Sequence, residues 1–514
     1  MKNHTLLLIL ISLLFSCNDK RADSAYQATY EYPNIVYILA DDLGYGDLQC
    51  YNPESKIPTP NIDRLSEQGM RFWDAHSPSG VCTPSRYGIL TGRYCWRSRM
   101  PLGVLQGYGR SFVKKERKTV AELLAEHDYH TAVIGKWHLG LDWALSAAEE
   151  DVLQDENTVV SDRGIISNMD PRYIDFGRPP GNGPTRHGFD YSFILPASLD
   201  MPPYCFLEND RLTAPLDTET EGNDLNTNYT EAFWRPGLIA TGFEFEDVLP
   251  TFTKKAMDYI DRRANASKPF FLYLPLAAPH TPWVPTDTYD GKSEAGTYGD
   301  FVNMVDAAVG VVLESLKNHG LEENTLVIFT SDNGPYWRPA DKQKYRHQAA
   351  GKLRGMKADA WEGGHRVPFV VRWPVRIRPG SSNDTPVSLT DFYATCAELL
   401  DQPLAKDQAE DSQSLLPILL ENVSSGNPRR PIIQQSSGGY FAVRKDNWKL
   451  ITGLGSGGFS QPRQLEAPEH GPTGQLYNLK EDISEQNNLY QTYPDVVQEL
   501  ESILKEYQQT GRSR

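Results

Sequence analysis

Positive charge is scarce in this chain of 514 residues: 51 Lys and Arg face 67 Asp and Glu, a formal charge of -16. That balance excludes nucleic acid as a principal partner, because such binding is led by phosphate contacts with Lys and Arg. It also means that any anionic substrate needs a local basic pocket. Cysteine is sparse, six in all, and none shows the thiolate and imidazole spacing of a structural zinc site. Beyond the N-terminus no apolar run is long enough to span a bilayer, and there are no repeats or low-complexity tracts. What remains is ordinary globular composition, 39% apolar and 23% charged, in a length that exceeds one typical core. One large domain with a smaller appendage is expected.

The N-terminus, MKNHTLLLILISLLFSC, has a basic start and an apolar run from Leu6 to Phe15. It reads as a secretory signal. The segment LFSC at 14–17 resembles the lipobox of bacterial lipoproteins, so residues 1–17 are expected to be a lipoprotein signal with Cys17 as lipid anchor; a cleaved signal with an incidental cysteine is the alternative. The chain is then exported, membrane-anchored, and periplasmic or on the cell surface. Excluding Cys17 and Cys82, the remaining Cys50, Cys95, Cys205 and Cys396 can pair in three ways or stay buried and free.

Strand-like runs recur at 34–39 (NIVYIL), 131–135 (TAVIG), 270–276 (FFLYLPL) and 325–330 (TLVIFT), separated by helical patterns such as TVAELLAEHDY and FVNMVDAAVGVVLESLKNHG. Near-continuous apolar strands alternating with helices predict an α/β domain with a mostly parallel sheet covered on both faces. Ligands in such folds bind beyond the carboxyl ends of the strands. Residues 141–250 are polar, rich in Pro, Gly and Asp, and poorly periodic, which predicts long excursions over the sheet. From about 376 the pattern changes to one helix (SLTDFYATCAELL), a polar linker at 405–430, antiparallel strands in YFAVRKDNWKLI and QLYNLK, and a closing helix at 493–507. These predict a small α+β subdomain over 376–514, after a catalytic domain at 32–375.

The residues that carry chemistry gather at the predicted strand ends. The first strand runs into ADDLGYGD and the last into SDNG, so Asp41, Asp42, Asp332 and Asn333 project from one edge. Adjacent carboxylates repel unless a cation neutralises them, and this hard, all-oxygen set suits Ca²⁺, or less well Mg²⁺. GKWHLG adds Lys136 and His138, LAAPHTPW adds His280, and GMKADAWEGGHRVP adds Lys357. In GVCTPSRYGILTGR at 80–93, Thr83 and Pro84 suit the cap and first position of a helix, with Cys82 at its positive end and Arg86 one turn on. Basic groups around a cation in an acidic chain make an oxyanion site.

CTPSR resembles the signature of the type I sulfatases, in which the cysteine is oxidised to formylglycine by a dedicated maturation enzyme. DDLGYGD, TGR at 91–93, GKWHLG, PHTP, SDNG and WEGGHRVP follow in that family's order from about 33 to 375, and LYNLKEDISEQNNL resembles its C-terminal region. The resemblance implies an alkaline-phosphatase-like α/β fold, one Ca²⁺ and hydrolysis of sulfate esters. It makes Asp41, Asp42, Asp332 and Asn333 metal ligands, with the converted Cys82 completing the sphere. A hydroxyl of the hydrated aldehyde, favoured by Ca²⁺ and Arg86, would attack sulfur. Lys136 and Lys357 would hold sulfate oxygens, His280 would be the general acid for the departing alcohol, and His138 the base that expels sulfate.

Two departures stand out. Tyr87 and Gly88 replace the small apolar residues that commonly follow the signature. KADAWEGG replaces the usual glycine and threonine after the lysine, which makes Lys352 a rival to Lys357. Outside the shared residues, His187, Trp337, Arg338 and His347 are candidate sugar contacts. An aromatic share of 11% also leans towards carbohydrate. The expected substrate is a sulfated polysaccharide or its oligosaccharides. The alternatives are a phosphonate or phosphodiester hydrolase of the same superfamily and a catalytically silent sugar-binding relative.

Overall fold

The computed structural model describes residues 32–146, 158–161, 164–223, 232–421 and 429–514; the signal and Cys17 lie outside them. In chain order the large unit is built from β1 (Asn34–Ala40), β2 (Met70–Phe72), α1 (Cys82–Thr91), β3 (His130–Lys136), β4 (Tyr191–Leu195), α2 (Val248–Arg263), β5 (Phe270–Pro275), α3 (Gly296–Asn318), β6 (Thr325–Ser331), β7 (Phe369–Arg372), β8 (Ser381–Asn383) and α4 (Asp391–Leu399). The main sheet runs β8-β2-β7-β6-β1-β5-β3-β4, and two short antiparallel strands extend its last edge. The centre, β6-β1-β5-β3-β4, is parallel.

Its strands are continuous apolar runs because both faces are buried. Phe270 packs on Tyr259 of α2 and Phe271 on Phe392 of α4, ring centroids 5.7 Å apart in each case. Successive residues of a strand point to opposite faces, so helices cover both sides.

The expected α/β architecture is therefore present, with two local corrections. The stretch 141–250 is not all excursion: YSFIL forms β4, a fifth parallel strand paired with β3 from Ala132↔Tyr191 to Lys136↔Leu195. Its polar surroundings hid a short apolar run that tertiary pairing converts into core. The change of pattern at 376 also does not coincide with a change of packing, since β8 pairs with β2 and α4 lies on the main sheet.

The smaller sheet is antiparallel, formed by β9 (Ile432–Gln435), β10 (Phe441–Lys445), β11 (Trp448–Ile451) and β12 (Gln475–Asn478) in sequential order. The last helix, α5 (Pro494–Thr510), buries Val497, Leu500, Leu504 and Tyr507 against it, the one-sided stripe that a 3.6-residue repeat produces. Cys50, Cys82, Cys95, Cys205 and Cys396 are all free, so none of the three pairings forms.

Candidate active site

Strand register brings the acidic pairs together. Ala40 and Ser331 are partners across β1 and β6, so the residues that follow, Asp41 and Asp42 on one side, Asp332 and Asn333 on the other, leave the sheet side by side. β3 ends in Lys136, beside β5, whose chain continues to His280. All of these side chains are buried.

Cys82 begins α1, two residues earlier than the sequence predicts. The N-cap is Val81, in extended conformation, whose apolar side chain can make no cap bond; the Thr83 hydroxyl, inside the helix, donates to the His138 carbonyl at 3.0 Å. Burial pushes the Cys82 thiol up to about 12 although Lys136 and Lys357 pull it down. Desolvation outweighs the favourable field of the helix start, and the unmodified side chain is a neutral thiol. One turn on, Arg86 is fully buried. Its Nε and Nη2 donate to Asp332 Oδ2 at 3.0 and 2.7 Å, and its Nη1 to the Lys136 carbonyl at 2.9 Å.

Ligand atoms of Asp41, Asp42, Cys82 and His280 all lie within 4.8 Å of one another. Asp332 and Asn333 adjoin this group: the Asp42 N–H donates to Asp332 Oδ1 at 3.3 Å, and Asn333 Nδ2 donates to Asp42 Oδ1 at 2.7 Å. Asp41 Oδ1, which has only the Arg86 guanidinium at 3.4 Å, and Asn333 Oδ1 accept no hydrogen bond although both are buried, and such unbonded oxygens are rare. Burial and the nearby Asp41 push Asp332 up to about 7. Burial also opposes ionisation of Asp41, yet Lys136, His280 and Arg86 hold it well below the usual carboxylate range. Crowded carboxylates and two unbonded oxygens are what an oxygen-liganded divalent cation relieves, so the residues fit Ca²⁺.

The basic groups close around these acids. Lys136 Nζ is 2.6 Å from Asp41 Oδ2, and Lys357 Nζ is 2.8 Å from Asp42. Lys352 is exposed and stands outside this cluster. Burial works against the Lys357 charge, but Asp42 raises its pKa beyond the ordinary lysine value, so it stays an ammonium. His138 donates from Nε2 to the Leu105 carbonyl at 2.9 Å, which leaves Nδ1 with a lone pair and no partner. Burial, Lys136 and Arg86 hold its pKa well below the usual histidine value, so the ring is neutral. His280 Nδ1 donates to the Thr281 carbonyl at 2.6 Å, and Nε2 faces Asp42 Oδ2 at 3.7 Å. Burial and Lys357 lower its pKa against the pull of Asp42 and Asp41.

Asp42, His138 and Ala358, beside Lys357, have φ of 64°, 54° and 76°. Each left-handed non-glycine residue stores about 1–3 kcal/mol, held in place by its surroundings.

Two site residues escape the sequence reading because they follow the unrecognised β4. Ser198 Oγ lies 3.1 Å from Lys136 Nζ and 3.4 Å from His280 Nδ1. Asp200 Oδ1, buried and without a hydrogen bond, lies 3.9 Å from His280 Nδ1. The run SFIL before PASLD is the available signal.

The candidate sugar contacts fare differently. His187 is buried beside Thr119, whose hydroxyl donates to its carbonyl. His347 is buried on Asp47 at 2.7 Å, and Trp337 donates to the His347 carbonyl at 3.1 Å. Arg338 precedes a short helix and donates to Asp341 Oδ2 from its backbone N–H at 3.2 Å and from Nε at 2.7 Å. The two histidines are packing residues, not sugar contacts, since loop folding spends both on the interior.

A sulfatase family model matches residues 33–402. An N-acetylgalactosamine-6-O-sulfatase of Bacteroides thetaiotaomicron is 34% identical over 98% of this chain and 99% of its own length. Human arylsulfatase A is 32% identical over 93% and 87%. A solved structure reported with the metabolism of multiple glycosaminoglycans by Bacteroides thetaiotaomicron superposes with a TM-score of 0.77 at 33% identity, covering 93% of this chain and 99% of that one.

Proposed function

The chain belongs to the sulfatase family, with its alkaline-phosphatase-like fold and hydrolysis of sulfate esters, and from that premise we propose an exported carbohydrate sulfatase that works through a formylglycine at position 82 and one Ca²⁺. The observation that carries this reading is the convergence of Cys82, four oxygen-donor residues and two buried lysines at one strand edge. The name of the Bacteroides relative makes a 6-sulfated N-acetylgalactosamine unit the first substrate to test.

Asp41, Asp42, Asp332 and Asn333 would hold the cation, which supplies Lewis acidity at a sulfate oxygen and favours an ionised hydroxyl at residue 82. Conversion of Cys82 to a hydrated aldehyde supplies one hydroxyl to attack sulfur and a second whose deprotonation releases sulfate.

The other residues have definite tasks. Arg86 fixes Asp332 and brings positive charge beneath the nucleophile. Lys136 and Lys357 stabilise the charge that grows on sulfate oxygens as the ester bond breaks. The bare Nδ1 of His138 takes the proton of the second hydroxyl. His280, with Nδ1–H committed to a carbonyl, would act as general acid from Nε2 as the imidazolium, the form that Asp42 at 3.7 Å favours against burial and Lys357, and hand that proton to the departing sugar oxygen. Ser198 ties Lys136 to His280 and keeps acid and anion binder in register.

Export and anchoring rest on the LFSC segment ending in Cys17; among the described residues no helix is long and apolar enough to cross a membrane. The two-unit division fits the packing best with its seam between Leu419 and Ile432 rather than near 376, since residues 381–399 side with the large sheet.

The experiment is release of sulfate by the matured protein from a panel of position-defined sulfated saccharides, beside aryl sulfate, aryl phosphate and phosphonate esters. Sulfate release restricted to one position is expected; faster phosphoester turnover sinks the assignment.

A further inference from the structure

A cleft of about 1200 Å³ is lined by chain neighbours of the reaction-site residues. Its wall includes Pro335, two residues past Asn333, and Met356, next to Lys357; the Lys357 N–H donates to the Pro335 carbonyl at 2.8 Å. Backbone that positions the lysine of the reaction site is therefore also the wall of the cleft.

The charge of this wall is opposite to that of the protein. Lys342, Lys352, Arg354 and Arg366 line it, and Glu54 is the one acid among the lining residues. Arg366 is neutralised by Glu362 at 3.0 Å and Asp74 at 3.3 Å. Arg354 is held in place, its guanidinium 3.6 Å from the Trp361 ring centroid and one nitrogen donating to the Glu485 carbonyl at 2.5 Å. Lys342 and Lys352 have no ion pair among the described residues. Three cations against one carboxylate, in a chain of net charge -16, concentrate anions locally.

We infer that this cleft is a second anion subsite, which binds a carboxylate or sulfate on the neighbouring sugar of an acidic oligosaccharide while the scissile sulfate sits at Cys82. The inference rests on the sulfatase reading and narrows it: the substrate is a chain with more than one acidic group, not an isolated sulfated sugar.

The test compares wild type with Lys342→Ala/Lys352→Ala and Lys342→Arg/Lys352→Arg on two substrates. One is p-nitrophenyl sulfate, and the other is a tetrasaccharide alternating uronate with 6-sulfated N-acetylgalactosamine. The tetrasaccharide-to-aryl-sulfate ratio of kcat/KM should fall about tenfold in the alanine pair, through KM, as expected for two exposed charge contacts. The arginine pair should keep the ratio. An unchanged ratio, or equal loss on both substrates, overturns the subsite. Calorimetric binding of the same tetrasaccharide stripped of sulfate gives a readout independent of turnover: binding weakened about tenfold in the alanine pair supports the subsite, and equal binding rejects it. Should no substrate release sulfate while that difference persists, the catalytic reading fails and the subsite stands.

Discussion

Arg86 and Asp332 stand 246 positions apart in the chain and meet through two hydrogen bonds, at 2.7 and 3.0 Å, to one carboxylate oxygen. Both side chains are wholly buried. Removing the guanidinium takes away the one cation hydrogen-bonded to Asp332 and leaves Lys136 to offset both it and Asp41. Arg86→Ala should therefore lose about 3–5 kcal/mol of stability, the usual result of breaking a buried pair from one side, together with activity. Urea denaturation checks the first part and sulfate release the second; a variant of wild-type stability contradicts the charge balance described.

Cys82 predicts a chemical signature. In cells that contain the maturation enzyme, the peptide bearing residue 82 should be about 18 Da lighter than its thiol form, and Cys82→Ala should lose more than ~10³-fold in kcat while folding normally. Peptide mass spectrometry and kinetics decide. An active enzyme with an unaltered cysteine rejects the mechanism.

The cation prediction follows from the unbonded oxygens of Asp41 and Asn333. Calcium at a hundred times its dissociation constant should add about 2.7 kcal/mol of stability by mass action. A chelator should remove that gain and the activity together. Differential scanning calorimetry with and without Ca²⁺ measures the shift, and Asp41→Asn/Asn333→Ala should abolish it.

Acid sensitivity should come partly from His187, which burial holds down at about 4 against an ordinary 6.5. The unfolded chain binds this proton more tightly than the folded one. The contribution is therefore complete above pH 6.5 and disappears as pH falls through 4, a loss of about 3 kcal/mol. Other buried histidines add losses of the same sign, so the informative quantity is the difference between wild type and His187→Leu. Denaturation at pH 7.0 and 4.0 should show a smaller drop in the variant by about that amount.

At the junction of the two sheets, Lys449 Nζ lies 2.8 Å from Glu485 and 3.0 Å from Glu362, all three without exposed side chain. Lys449→Met should cost about 3–5 kcal/mol by leaving two buried acids facing each other. Adding Glu485→Gln should recover part of the loss. Equal stability of the single variant and wild type would contradict a shared counter-ion.

Much of the site was legible because the chemistry sits at strand ends and the central strands announce themselves. NIVYIL and TLVIFT are buried on both faces, so their apolar runs stop where the chain emerges, and the acids that follow mark that edge. Lys357 was harder. Its neighbours depart from the family pattern, and only the fold shows that it, not Lys352, reaches Asp42. Ser198 and Asp200 were lost with β4, whose few apolar residues carry little signal inside a long polar stretch.

The sequence alone determined the parallel α/β core, the residue types of the reactive cluster and the order in which they reach one edge, because burial and periodicity are properties of local composition. The tertiary structure decided which charges meet: which lysine serves Asp42, which histidine nitrogen stays bare, and which cysteine, pushed towards neutrality by burial, stands among three carboxylates. Those outcomes depend on distances across hundreds of residues and on the loss of water around them, and no linear pattern encodes either.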